Sequence, residues 1–180
     1  MSSPYDAAAA AIDRANGEAH REYGERMTSW ARRLAPGASE ELLLAVRAQH
    51  VRRGEIPRTD FPEGRTGYLA WREKLKRMHA DIAAGLLKDA GYAAASLEKV
   101  RNLILRKEKS PDPEGRIVED AACLVFLETE FAAFAAKTDD AKTIDILRKT
   151  WAKMSPAGRE AALTLAFGER ESALLKKALG

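Results

Sequence analysis

What most limits the fold of this chain is its punctuation. Apolar residues recur at intervals of three and four, and most runs open on a capping residue or close on glycine or proline. Alanine, leucine, glutamate, lysine and arginine dominate while runs of valine, isoleucine and threonine are scarce, so helices are favoured over strands throughout. Residues 5–16 read as a first helix stopped by Asn16-Gly17. Residues 18–35 read as a second, closed by Pro36-Gly37, with Met27, Trp30 and Leu34 on one face. Ser39 is a good N-cap for a third, with Glu40 and Glu41 in the turn where the helix dipole favours negative charge. Its apolar face carries Leu42, Leu43, Val46, Gln49 and His50, and Gly54 and Pro57 end it.

Residues 54–65, with two prolines and two glycines, form the longest irregular segment, in the size range where loops carry function. A long fourth helix spans about 67–90, with Tyr68, Trp71, Leu75, Met78, His79, Ile82, Ala83 and Leu86 on one face. Ser96 is expected to cap a fifth, and 107–113 is a charged loop. The sixth, about 113–137, is the most apolar: Ile117, Ala121, Leu124, Val125, Leu127, Phe131, Phe134. Asp139 starts a seventh, and Ser155-Pro156 is an N-cap and N1 pair for a short helix to about Phe167. A terminal helix covers 169–179. With no repeat and no dividing linker, the expectation is one all-α, multi-helix domain over 1–180.

Charge and cysteine content narrow the function. Thirty basic and 27 acidic residues give a net charge of +3, and both signs are interleaved along the helices, so nucleic acid is not the expected partner. The single cysteine, Cys123, has no internal partner and sits in an apolar run, which reads as a buried thiol in a reducing compartment. The first residues lack the basic and apolar regions of a secretory signal, and no stretch nears the roughly 18 uncharged apolar residues of a membrane helix. The expected location is cytoplasmic.

Three polar residues break the apolar pattern. His50, His79 and Asp120 each fall on the apolar face of a different expected helix. A lone histidine there is more often a satisfied core residue than a ligand. A buried carboxylate must be paired, hydrogen-bonded or bound to metal, and Arg52 or Arg53 could supply a structural partner for Asp120. Two imidazoles and a carboxylate are also a suitable ligand set for Zn, Fe or Mn. Glu119 adds acidic character beside Asp120. Around His50, the guanidinium groups of Arg52, Arg53 and Arg58 suit a small phosphorylated or anionic ligand through bidentate hydrogen bonds. The plainer reading is a solvated turn in which they pair with Glu55, Asp60 or Glu63. Arg148, Lys149 and Lys153 read as the exposed face of an amphipathic helix. No nucleophile elbow and no glycine-rich phosphate loop is present, and no organic cofactor is expected.

Over most of its length the chain resembles an uncharacterised family, domain of unknown function 4202. The resemblance is carried by Tyr23-Gly24-Glu25-Arg26-Met27, by residues 48–58 from Ala48-Gln49-His50-Val51-Arg52-Arg53 to Arg58, and by Gly67-Tyr68-Leu69-Ala70-Trp71-Arg72. Residues 119–128 and 146–155 extend it. At a deeper level the order of features is similar to HD domains, helical metal-dependent phosphohydrolases, over about 18–130. They have a histidine-aspartate pair ending an apolar helix, as His50-Val51 does here, a later histidine opening a helix that ends in glycine, like His79 to Gly91, and an aspartate after an Ile-Val pair, like Ile117-Val118-Glu119-Asp120.

The HD resemblance implies an HD-like fold with the C-terminal helices, 139–180, packed on its core. It also implies a divalent metal on His50, His79 and Asp120 that makes a nucleophile of bound water, with Arg52, Arg53 and Arg58 holding a phosphate. Val51 departs from the pattern where an aspartate is required, and the first family histidine falls near Tyr23, or at His20. Either Glu55 or Glu119 substitutes, or a single metal is held, or none is. The competing expectation is a non-catalytic ligand-binding or interaction protein that kept the pocket and lost the metal.

Overall fold

The computed structural model describes residues 3–106 and 113–180, and among them every regular element is helical. The charged loop expected at 107–113 lies, but for Pro113, outside the described residues. Contacts gather into two compact units, Met1–Val118 and Glu119–Gly180.

The first unit opens on α1, Pro4–Leu34, whose N-cap Ser3 exchanges hydrogen bonds with Asp6 in a capping box. The stop signal at Asn16-Gly17 acts as a kink: Gly17 takes φ 61° and ψ −173°, a conformation open to glycine alone, and the two expected helices become two limbs of one element. The buried Asn16 amide donates to the Arg47 carbonyl at 3.2 Å, while the Arg47 guanidinium grips both oxygens of Asp13 at 2.7 Å.

Helix α2, Glu40–Arg47, is capped by Ser39 as expected and buries Leu42 to Val46 without a break. It stops short of His50, because the chain turns at residues 48–52 and the Gln49 amide folds back onto the Ala45 carbonyl at 3.2 Å. Two 3-10 turns, Arg53–Glu55 and Arg58–Asp60, lead to α3, Gly64–Asp89. Its buried stripe is Gly67, Leu75, His79, Ala80, Ala83 and Leu87, while Tyr68 stays 42% exposed. Helix α4, Ala94–Leu105, begins two residues before the expected Ser96 cap. The Ser96 hydroxyl donates to Glu41 of α2 instead, at 2.6 Å. Glu114, the first residue of α5 (Glu114–Val125), accepts from the Ser39 backbone and hydroxyl and pairs with Lys99 at 2.7 Å, which ties α2, α4 and the start of α5 together.

In the second unit the long sixth helix of the sequence reading becomes three pieces. Helix α5 runs into a π-helical turn, Phe126–Glu130, and continues as α6, Phe131–Lys137. The Thr129 hydroxyl bonds the Val125 carbonyl at 2.8 Å inside that turn, and Phe126 packs near Phe131 and Phe134. Helix α7, Asp140–Lys153, is capped by Asp139, and its Arg148 donates to the last carbonyls of α9, Glu169–Leu179. Helix α8, Pro156–Leu163, starts at the expected Ser155-Pro156 pair and ends four residues earlier than expected. Cys123 is buried. No helix among the described residues is long and apolar enough to cross a membrane.

Candidate functional site

The first unit brings the chain's three histidines together. His20 and Tyr23 lie three residues apart on α1 and therefore share a face. His50 comes from the turn after α2 and His79 from the middle of α3. Tyr23 stacks on His50 with ring centroids 3.7 Å apart and planes within 11°. His20 meets His50 edge-on at 5.8 Å, and His50 and His79 are tilted at 6.4 Å.

Backbone geometry orients His79. Arg52 adopts a left-handed conformation, φ 51°, rare for a residue with a side chain. The turn it completes presents the Val51 carbonyl to His79, whose Nδ1 donates to it at 2.7 Å. The carbonyl has no proton to give, so in the neutral ring Nε2 is left as a lone-pair acceptor. That nitrogen has no hydrogen-bond partner, and the residue is 3% exposed. An unsatisfied acceptor sealed from water costs about 1–3 kcal/mol.

The surroundings are cationic. Arg53 follows His50 through a tight turn, its amide donating to the His50 carbonyl at 3.0 Å, and its guanidinium lies 4.7 Å over the Trp71 ring. Trp71 is itself fixed by its indole N–H on the Ile56 carbonyl at 2.8 Å. Arg72 sits seven residues before His79 on α3, two turns away on the same face, and donates to the Tyr68 hydroxyl at 3.0 Å. Burial, and then the Arg53 charge, depress the basicity of all three imidazoles: His50 to about 2, His79 to about 4, and His20 below its ordinary value. Burial is the larger cause because desolvation penalises the charged ring. All three are therefore neutral at pH 7.

The model of a family defined by a domain of unknown function, DUF4202, matches residues 4–175. The chain belongs to that family. Neither a curated protein nor a solved structure matches it.

In this DUF4202 chain the remaining residues of the sequence reading go elsewhere. Arg52 and Glu55 face each other at 3.7 Å, with about half of each side chain in solvent. Arg58 donates to the carbonyls of Phe61 and Gly64 and so closes the loop before α3. Asp120 belongs to the second unit and is buried, as its apolar row required. Both of its oxygens accept from Ser155, one from the amide at 2.8 Å and the other from the hydroxyl at 2.5 Å. Gly158 lies against the same carboxylate: a Cβ there would stand 2.5 Å from its oxygen. Asp120 thus fixes the cap of α8. Glu119 beside it is half-buried in that unit. Among the described residues no group of three or more His, Cys, Asp or Glu is arranged to hold a metal ion.

Trp71 and Arg72 border the histidine cluster without being singled out by the sequence pattern: Trp71 belongs to an apolar face, and the signal for Arg72 is its two-turn spacing from His79.

Proposed function

We propose that the imidazole cluster of the first unit is the binding pocket for a small phosphorylated or otherwise anionic ligand, in a helical unit of HD-like descent. The observation that carries this reading is the buried, unpartnered Nε2 of His79, in the positive field of Arg53 and Arg72. Buried polar atoms without a partner are rare in native proteins, and each calls for a ligand, a water or a chemical role. Guanidinium groups recognise phosphate and carboxylate through paired hydrogen bonds.

The metal-dependent phosphohydrolase implied by the HD resemblance finds part of its ligand set here. His50 and His79 share the cluster, joined by His20. The rest does not fit: Val51 is a buried apolar side chain where a carboxylate is required, and Asp120 spends both oxygens on Ser155. Ligand binding therefore suits this cluster better than metal-assisted hydrolysis. Isothermal titration at low salt with a panel of phosphorylated small molecules tests it. Saturable binding that is lost in Arg72→Gln is expected, and a panel in which no compound saturates the protein would overturn it.

A further inference from the structure

We infer that the outward face of α3 pairs with the same face of a second copy of this chain, antiparallel, about a two-fold axis midway between Arg77 and Met78. The inference is independent of the histidine cluster, which His79 joins from the opposite, buried side of the helix.

Three observations carry it. First, the face holds a groove of about 690 Å³, lined by α3 and by Ile56 of the preceding loop. Ile56, Met78 and Ile82 are only half-buried there. Second, the charges along the groove complement themselves. At about 100° per residue, the exposed Ala70, Lys74, Asp81 and Gly85 fall within about 30° of one line along the helix. In a two-fold contact each residue meets its mirror position, so Lys74 faces Asp81 of the second copy and Asp81 faces its Lys74. Glu73 mirrors Ile82, and Arg77 mirrors Met78. The pairs within the chain are compatible with this register. Arg77 reaches back along its own helix to Glu73 at 3.2 Å, away from the axis. Asp81 engages Arg101 of α4 through Oδ1, and Oδ2 is the acceptor for the opposing lysine. Third, Gly85 has no use within its own unit. It is exposed in a helix interior, where glycine is weaker than alanine, and a Cβ built on it meets nothing within 4 Å. Its mirror position is Ala70. Two such small residues at each end of the contact let the helices approach closely at the shallow crossing of about 20°.

Four turns of one helix bury less than the roughly 1,600 Å² of a standard interface, so the dimer is weak and reversible, in the micromolar range. Sedimentation velocity of the full chain over a rising concentration series measures it. The parent is expected to pass from monomer to dimer, and to do so at higher concentration when salt is added. Gly85→Leu should weaken the dimer at least tenfold, while the melting temperature of the dilute monomer does not fall. Lys74→Glu and Asp81→Lys should each weaken it as much alone, and their equimolar mixture should recover it, because each new charge then faces its opposite. A parent that stays monomeric throughout would overturn the inference and leave the groove to a partner of another sequence. A dimer that Gly85→Leu leaves intact would put the contact on a different face. Charge variants that do not recover on mixing would overturn the two-fold register.

Discussion

Lowering the pH from 7 to 5 is expected to destabilise this protein steeply, through its imidazoles. A histidine in an unfolded chain titrates near 6.5. His79 in the folded state is held at about 4, by burial first and then by Arg53, against a smaller opposing effect of its bond to Val51. Between those values the unfolded chain binds a proton that the native protein refuses, so stability is complete above pH 6.5 and falls as the pH drops toward 4. At pH 5.5 the difference is close to one proton, a slope of roughly 1.2 kcal/mol per pH unit from His79 alone. Integrated from pH 7 to pH 5 this comes to about 2 kcal/mol. His50, depressed further still, acts in the same direction. Urea denaturation at half-unit intervals measures it directly, because the midpoint at constant m reports stability. His79→Gln removes one titrating ring and should recover about 2 kcal/mol of the loss between pH 7 and pH 5. A variant whose stability falls as steeply as the parent's would refute the claim that His79 is buried neutral.

Other substitutions test the local geometry. Asp120→Ala strips the Ser155 amide and hydroxyl of their acceptor and should cost about 3 kcal/mol by denaturant titration, against about 1 for Asp120→Asn, which keeps one acceptor. Equal costs would mean that the carboxylate charge, not the cap, is what matters there. Arg52→Gly relieves a left-handed residue and gives up only an exposed pairing with Glu55, so its melting temperature should hold or rise, by up to about 1 kcal/mol in stability. A drop would assign the Arg52 side chain a structural contact. Gly67→Ala drives a Cβ into the Pro62 carbonyl and should cost about 2–3 kcal/mol as the loop before α3 is displaced. Unchanged stability would show that the loop moves freely.

Much of the helical order was legible because it is written in local signals. Ser39, Asp139 and Ser155 cap helices where their chemistry says they should, and Gly17 breaks the backbone where Asn16-Gly17 announced a stop. The misreadings are those in which a distant partner outbids a local signal. Ser96 looks like a cap and bonds Glu41 of another helix. Helix α2 ends before His50 although the apolar period runs on, because Gln49 returns to Ala45 and the chain must turn to reach α3. The π-turn at Phe126–Glu130 leaves the apolar pattern intact in sequence while inserting an extra residue into the helical ladder.

The same distinction governs the site. Periodicity marked His50, His79 and Asp120 as polar groups bound for the interior, and His79 and Asp120 are 3% exposed. Burial is what a pattern of apolar neighbours can establish, since it follows from which face of a helix a residue occupies. The partner that compensates burial cannot be read that way. Asp120 finds both of its donors at the head of a helix 35 positions away, which makes it a cap. His79 satisfies one nitrogen on a carbonyl 28 positions away and leaves the other without a donor. Two residues flagged by one rule thus end with opposite meanings. The aspartate has its donors within its own unit, and the histidine keeps one nitrogen that meets no donor among the described residues.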